Sequence, residues 1–278
     1  MKKLRTCLLV IIIISFAGGL HAQKRALTHD DIESWKRITE KVVSPDGEWI
    51  AYKTEPWQGD PEIYLYNKDG SRVFESKPAE KIKITDDSEF MIFTIIPAWQ
   101  HVRELKLQKT KKEDMPGDVL GVYSIGKAVL DSIKDIRNYK IPAEWGGWLA
   151  YQVEKDDKEA GEKEAEAGEA EEKESGEKDS KKESGKNGFM LHLEDLASGE
   201  TVSWPFVTEY HFAEKSSRLF FVSTGDADGF DPGLYLYDIE KEQLSAVMTG
   251  DNDYKQLSIT EEGDMIAFLL GEGEKEGR

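Results

Sequence analysis

Four histidines follow the first 22 residues, and histidine is the side chain best suited to proton transfer near neutral pH. They are His29, His101, His192 and His211. They lie far apart in the sequence, and none has a partner at the spacing that metal ligands use. This scatter favours structural or surface roles over catalysis.

A serine nucleophile of the α/β-hydrolase type lies in a G-x-S-x-G turn between a strand and a helix. The nearest string is GVYSIG, residues 121–126, which has one residue too many before the serine. It fits a strand followed by a hairpin turn. The phosphate-loop, HExxH and dinucleotide-binding patterns are also missing. We therefore predict that this chain carries no catalytic residue and no cofactor-binding residue.

The segment Asp226–Asp231, DADGFD, is acidic and contains a glycine, as calcium-binding loops do. It lacks the ligand spacing and the terminal glutamate of an EF-hand, so a polar loop between strands is favoured. The only cysteine, Cys7, lies in a segment that we expect to be removed. The mature chain would then have no thiol for a disulfide, a nucleophile or a zinc site, and we predict no metal ligands.

The charge balance is strongly acidic, with 55 Asp and Glu against 37 Lys and Arg and a net charge of −18. A polyanion repels phosphate backbones, so we expect no nucleic-acid partner. Part of the excess lies in residues 154–187, which hold 14 acidic and 8 basic residues, a net of 8 − 14 = −6. This tract has no aromatic or branched aliphatic side chain, which predicts a disordered charged insert. A solvated loop is favoured over a binding tail.

The N-terminus has the three parts of a signal peptide. Lys2, Lys3 and Arg5 are basic, CLLVIIIISF follows at residues 7–16, and small residues precede Gln23. We predict a signal peptide over residues 1–22 and an exported, periplasmic or extracellular protein. An uncleaved anchor is the alternative, but the apolar run is shorter than the roughly 20 residues of a membrane span. After cleavage we expect no stable membrane association.

A short helix is predicted next, within a helical lead-in over residues 23–40. Residues 27–38, LTHDDIESWKRI, place Ile32, Trp35 and Ile38 on one helix face. Thr28 can cap this helix, with Asp31 three residues further on.

Beyond the lead-in, five segments align in register without gaps. Each begins with a small residue, passes through a polar turn and enters a strand with an apolar residue at the seventh place and an aromatic at the ninth. The five pairs are Ile50 and Tyr52, Met91 and Phe93, Leu149 and Tyr151, Leu219 and Phe221, and Ile266 and Phe268. Residues two apart face the same side of a strand, so each pair can fill one layer of a core.

A second strand and a hairpin turn follow three of these segments, beginning at Ile63, Met190 and Leu234. The seventh-place residue recurs at intervals of 41, 58, 70 and 47. Since a propeller blade takes about 40–50 residues, the repeat predicts an all-β fold, an incomplete β-propeller over residues 41–278. It comprises about four blades and the start of a fifth, where the chain looks truncated. Another antiparallel β fold is the alternative.

The order of these segments resembles a known family. LTHDDIESWKRI, VSPDGEWIAYKTEP from Val43 and EIYLYN from Glu62 are similar to the mature N-terminus of secreted prolyl oligopeptidase-family (S9) serine peptidases of Bacteroidota. Residues 112–154 resemble the passage between the second and third blades of those proteins. The resemblance extends over residues 23–278.

The resemblance implies a propeller that precedes a C-terminal α/β-hydrolase domain carrying the Ser, Asp and His. None of those positions falls in this sequence, so no catalytic residue is carried over. Some relatives recognise the substrate amino terminus with propeller glutamates, but Glu171 and Glu172 lie in the charged tract and are not candidates.

The expected role is to gate and position a peptide substrate for the hydrolase domain. The alternative is a stand-alone periplasmic propeller of the TolB-like kind that acts as a protein-binding scaffold. The residues do not indicate an oligomeric state.

Overall fold

The computed structural model describes residues 27–28, 31, 35–154, 188–225, 230–250 and 252–271. The predicted signal peptide, insert residues 155–187 and loop residues 226–229 lie outside this part. The chain divides into Met1–Lys36 with Pro56–Gln58, and Arg37–Glu55 with Gly59–Arg278. The Thr28–Asp31 contact, Lys36 and Pro56 belong to the first of these units, and the packing described below lies within the second.

Strands dominate the described residues, as β-branched and aromatic residues in short runs between turn signals predict. Besides the helical residue Asp31, the described residues include the α-helix α1 (Trp99–Leu107) and a 3₁₀ turn (Lys112–Asp114). The strands are β1 (Lys36–Val43), β2 (Trp49–Pro56), β3 (Glu62–Asn67), β4 (Arg72–Ser76), β5 (Ala79–Ile84), β6 (Phe90–Ile95), β7 (Val119–Ser124), β8 (Val129–Ile133), β9 (Ile136–Lys140), β10 (Trp148–Val153), β11 (Phe189–Asp195), β12 (Thr201–Phe212), β13 (Arg218–Ser223), β14 (Gly233–Asp238), β15 (Gln243–Thr249), β16 (Asp253–Ile259) and β17 (Ile266–Gly271).

Each strand pairs with the next one in sequence within its sheet. The sheets are β1–β4, β5–β8, a seven-stranded ladder β9–β15, and the pair β16–β17. This meander of antiparallel neighbours is the strand order of a propeller blade.

The long strand β12 belongs to two such meanders. Its first residues pair with β11, as in Ser203 opposite His192, and its last pair with β13, as in Tyr210 opposite Phe221. Between them Phe206 has a φ of 52°. We therefore count β1–β4 as blade 1, β5–β8 as blade 2, β9 to the start of β12 as blade 3, the end of β12 to β15 as blade 4, and β16–β17 as blade 5.

In blades 1, 2 and 5 the side chain of the first repeat residue holds the turn before the second strand of the blade. In blade 2, the Thr85 hydroxyl donates to the Asp87 carboxylate at 2.5 Å and accepts from the Phe90 backbone N–H at 3.1 Å. Ser44 and Thr260 begin the same arrangement in blades 1 and 5. In these three blades the short polar side chain satisfies a backbone donor that the turn leaves unpaired, whereas blades 3 and 4 have Ala143 and Ala213 at this place.

Successive turns touch one another through polar contacts. The Asp46 N–H donates to the Ser88 hydroxyl at 3.2 Å, the Glu144 N–H to the Glu214 carbonyl at 3.2 Å, and the Lys215 N–H to the Glu261 carbonyl at 2.9 Å. The equivalent ends of blades 1 and 2, 3 and 4, and 4 and 5 therefore lie side by side.

Four hydrophobic clusters fill the junctions between consecutive blades. Met91 and Phe93 pack with Leu65 between blades 1 and 2, whereas Phe90 and Ile92 face blade 3. Two further clusters lie between blades 3 and 4 and between blades 4 and 5. The seventh- and ninth-place pair faces the preceding blade at each of these four junctions. The described residues form an open array of propeller-type blades in which no sheet closes on itself, and the all-β propeller prediction is confirmed.

Two details differ from the sequence prediction. Residues 36–38 belong to β1 instead of the predicted helix, because Lys36–Val43 form one strand that pairs with β2 and whose residues 40–43 alternate between half-buried and exposed. Asp31 is helical and its carboxylate accepts from the Thr28 N–H at 2.7 Å, as the capping pair predicts. Helix α1, in the loop between β6 and β7, was not predicted.

Candidate functional site on the first strands

The first strands of blades 1 to 4 lie side by side and form what we call the first-strand surface: β1, β5, β9 and residues 207–212 of β12. The Glu40 carboxylate of β1 accepts from the backbone N–H groups of Lys81 and Ile82 of β5, at 3.1 and 2.8 Å. Lys83 of β5 lies over the ring of Tyr139 of β9, at 5.0 Å from its centre. Each strand therefore contacts the next through named polar or aromatic groups.

Three titratable side chains meet where β9 approaches β12. The Lys140 ammonium donates to the Tyr210 carbonyl at 2.6 Å and lies 3.2 Å from His211 Nδ1. His211 Nε2 is 2.9 Å from a carboxylate oxygen of Glu209. A lysine donor facing Nδ1 leaves the ring proton on Nε2, where it donates to Glu209. The imidazole therefore links a cation to an anion.

A hydrogen-bond chain that runs from the Tyr210 hydroxyl through the exposed Asn138 to the buried Gln152 holds this group from behind. The Tyr210 hydroxyl donates to Asn138 Oδ1 at 2.5 Å, and Asn138 Nδ2 donates to Gln152 Oε1 at 2.9 Å. Gln152 Nε2 donates to the Val207 carbonyl at 2.8 Å. Gln152 is buried, so each satisfied bond avoids the cost of an unpaired polar group. The network fixes the positions of β9 and β12 and thus of Lys140.

Burial is the main cause that lowers the pKa of Lys140; the Glu209 carboxylate opposes it and the Lys83 charge adds to it. Burial also raises the pKa of the Tyr210 hydroxyl, which stays neutral. A partly desolvated ammonium attracts an anion more strongly than one in water does. The chemistry that this arrangement supports is anion binding.

The acidic groups of the first-strand surface already have donors. Glu40 accepts the two backbone N–H groups, Glu80 lies 3.8 Å from Lys53 and 3.5 Å from Lys81, and Glu209 holds His211. In contrast, four of its cations make no direct ion pair with a carboxylate among the described residues: Lys41, Lys83, Arg137 and Lys140. This surface is therefore locally basic in a chain of net charge −18.

One serine and one histidine are also in contact, in blade 3. His192 Nδ1 lies 2.8 Å from Ser203 Oγ, and the two residues are opposite each other in the β11–β12 ladder. His192 is buried and stacks on Tyr151, its partner on β10, with ring centres 5.0 Å apart. The same cross-strand position holds Tyr64 in blade 1 and Tyr235 in blade 4, each near its repeat aromatic. His192 therefore takes the place of a structural aromatic, and Ser203 lies in a regular strand instead of a nucleophile elbow.

The remaining sequence candidates lie apart from this surface. His101 is exposed on helix α1, and Asp231 accepts the Tyr235 hydroxyl through its backbone carbonyl at 2.5 Å. His29 and residues 226–229 fall outside the described part. Residues 121–126 form the end of β7 and the following hairpin, as predicted. In the portion of the chain that the structure describes, no group of three or more His, Cys, Asp or Glu is placed to hold a metal ion.

Lys140 and Glu209 were not singled out from the sequence. The approach of Lys140 to His211 joins positions 71 residues apart, and no local pattern reports it. Glu209 and His211 do stand two apart on one strand, which puts them on the same side. That spacing is the one sequence pattern that points to this group of side chains.

No helix within the described ranges is long and apolar enough to cross a bilayer. No protein-family model and no curated protein matches the sequence.

Solved structures do match the chain. They include an acylaminoacyl peptidase from Pyrococcus horikoshii, with 12% identity over 87% of this chain and 37% of that one and a TM-score of 0.40. The β-propeller domain of the Trilobed protease from Pyrococcus furiosus matches with 12% identity over 84% and 65%, TM-score 0.37. TolB from Acinetobacter baumannii matches with 13% identity over 83% and 48%, TM-score 0.36. This chain thus spans 37–65% of the length of these three structures.

Proposed function

We propose that this chain is the non-catalytic propeller portion of an exported serine peptidase of the prolyl oligopeptidase (S9) family. It would gate and position peptide substrates for an α/β-hydrolase domain formed by other residues of the protein. That domain would hydrolyse the peptide bond by acyl transfer to an activated serine. The observation that carries the proposal is the in-register blade repeat, together with the S9-like order of segments in residues 27–67 and 112–154.

A propeller domain can control a reaction without touching the reacting atoms, and this is the role that we assign to it. A body that limits access and orients the substrate can contribute to rate by placing the scissile bond next to the nucleophile. The one described serine–histidine contact, Ser203 with His192, is accounted for by strand packing. The proposal therefore assigns no step of the chemistry to the described residues.

A serine-directed phosphonate tests the first half of the proposal. The 23–278 chain is incubated with the probe and with peptide and ester substrates, and labelling is read by mass spectrometry. We expect neither hydrolysis nor labelling. A Ser203→Ala variant serves as the control for the contact between Ser203 and His192. Stoichiometric labelling of one serine in a properly folded chain would overturn the assignment.

The gene sequence beyond codon 278 tests the second half. A downstream G-x-S-x-G followed by Asp and His supports the peptidase. A stop codon after a few more blades, with no hydrolase motif, supports the protein-binding scaffold instead.

A further inference from the structure

The proposed function leaves one group of titratable side chains unused, formed by Lys140, His211 and Glu209. The Lys140 nitrogen, Nζ, lies 2.6 Å from the Tyr210 carbonyl oxygen and 3.2 Å from His211 Nδ1. His211 Nε2 in turn lies 2.9 Å from a Glu209 carboxylate oxygen. An amine within hydrogen-bond reach of an imidazole that a carboxylate orients is an arrangement that activates a nucleophile.

Anion binding uses the charged form of Lys140, but the contacts of Nζ also suit the neutral form. An ammonium has three N–H donors, whereas a neutral amine has two N–H donors and one lone pair. The Tyr210 carbonyl and His211 Nδ1 satisfy both donors of the neutral form and leave its lone pair free. In the charged form, the third N–H has no oxygen or nitrogen acceptor in the part of the chain that the structure describes. The Tyr210 ring, whose centre lies 5.1 Å from Nζ, is a weaker partner for that charge.

The surroundings of Lys140 act in the same direction. The side chain is half-buried, and burial is the main cause that lowers its pKa. The Lys83 charge adds to this effect, and the Glu209 carboxylate opposes it. Lysines become nucleophiles in proteins when burial or a neighbouring cation destabilises the ammonium, and Lys140 has both.

We propose that Lys140 is a nucleophilic amine that forms an imine with small aldehydes, with His211 as the proton acceptor and Glu209 as the residue that holds the imidazole. Small aldehydes are the class that fits, because the half-buried nitrogen admits a small group and imine formation needs only proton transfer beside the nitrogen. The inference goes beyond the proposed function and does not depend on it.

The reaction balances without an oxidant or a reductant. The lone pair of Nζ attacks the carbonyl carbon, and the electron pair of the C=O bond moves to the oxygen. The two N–H protons pass in turn through His211 Nδ1 to that oxygen, which leaves as water while the C=N bond forms. One aldehyde is consumed and one water is released for each imine.

Reductive trapping tests the proposal. The folded chain is treated with limiting propionaldehyde and cyanoborohydride, which reduces an imine to a stable secondary amine, and the adducts are mapped by peptide mass spectrometry. At about pH 7 we expect the initial yield at Lys140 to exceed that at the exposed Lys106 and Lys109 by roughly threefold or more. As the pH is raised, the yield at Lys140 should level off at a lower pH than the yield at Lys106 in the same sample.

Variants test the part played by His211. His211→Gln keeps a side-chain acceptor but has no nitrogen that takes up a proton, so the initial rate at Lys140 should fall about tenfold. Glu209→Gln should lower the rate less, because the carboxamide oxygen can still accept from Nε2. The matched control is His101→Gln, which removes an exposed histidine of helix α1. Each variant is accepted only if its circular dichroism and urea midpoint are unchanged, and the pH profile of the parent chain carries the test otherwise.

A yield at Lys140 no higher than that at Lys106, or yields that level off at the same pH, would overturn the inference. An equal loss with His101→Gln and His211→Gln would contradict the role of His211. Trapping at Lys140 combined with phosphonate labelling of a serine would remove the non-catalytic role and leave the imine site. A chain that is neither trapped nor labelled would remove the imine site and leave the proposed function.

Discussion

Blades 1 and 2 carry the same repeat, but the side chains of its strand are buried in blade 2 and partly exposed in blade 1. In blade 2, Phe93 is fully buried and Gly121 lies opposite it, so close that a Cβ on Gly121 would be 2.7 Å from the Phe93 ring. In blade 1 the same two positions hold Tyr52 and Tyr64, and Ile50 beside them is 45% exposed. The preceding blade, and not the repeat itself, therefore makes this layer a core.

Truncating the repeat aromatic gives the largest expected contrast. Phe93→Ala removes a fully buried ring and should lower the free energy of unfolding by ~3–5 kcal/mol. Tyr52→Ala, at the same repeat position in blade 1, should cost about 1 kcal/mol, mostly from lost contact with its neighbouring tyrosines. Urea unfolding followed by tryptophan fluorescence measures both. Equal losses would show that the blade 1 face is also a packed core.

Adding a methyl group opposite Phe93 tests the same contrast, because the methyl group crowds the ring. Gly121→Ala should destabilise the chain by ~1–3 kcal/mol, since its Cβ meets the Phe93 ring. Gly126→Ala is the matched control, because a Cβ there meets nothing within 4 Å. If Phe93→Leu restores the stability of Gly121→Ala, the clash with the ring is the cause. A neutral Gly121→Ala would mean that the junction between blades 1 and 2 opens easily.

The turn hydroxyls extend the comparison to polar groups. Thr85 is 1% exposed and accepts from the Phe90 N–H, so Thr85→Val should cost ~1–2 kcal/mol for the donor left without a partner. Thr260→Val removes the equivalent bond in blade 5, where water reaches the turn, and should cost less. Differences in urea midpoint between the two variants measure this. Similar losses would indicate that burial does not decide the strength of these bonds.

The junction between blades 2 and 3 adds a pH dependence. Burial raises the pKa of Glu194, with Asp131 and Asp195 adding to it and the Tyr151 hydroxyl opposing it. Because the pKa is higher in the folded chain, the protonated carboxyl stabilises the fold below the unfolded pKa, and this contribution is lost as the pH rises through the folded value. We expect the free energy of unfolding to fall less for Glu194→Gln than for the parent as the pH rises above about 4.

Urea unfolding at several pH values measures the effect of Glu194→Gln, with the exposed Glu200→Gln as the control. A parallel pH profile for the Glu194 variant and the parent would contradict the assignment.

The sequence predicted the blades well because their signal is local. Period-two pairs such as Met91 and Phe93, and the turn that starts at Thr85, each lie within ten residues, so their register can be found by alignment alone. Ser203 beside His192 was not foreseen, since the register of β11 on β12 depends on the hairpin between them.

The other features that the sequence did not predict depend on residues far apart in the chain or on which sheets lie next to each other. Lys140 and His211 meet only because blades 3 and 4 stack. The exposure of Ile50 depends on which sheet covers it. Helix α1 was missed because its apolar pattern, Trp99, Val102 and Leu105, lies in a helix of nine residues, and none of its residues is buried among the described elements.

The shared strand β12 has a consequence for how the array comes apart. Blades 1 and 2 are separate ladders that contact each other through side chains and through a backbone bond from the Ala79 N–H to the Pro61 carbonyl at 3.1 Å, whereas β9 to β15 form one uninterrupted ladder through β12. Opening blade 3 pulls β11 from β12 and loosens the strand on which β13 of blade 4 depends. In a nearest-neighbour description the coupling between these two blades exceeds the others, so they unfold as one cooperative unit of double size within a chain of otherwise single repeats.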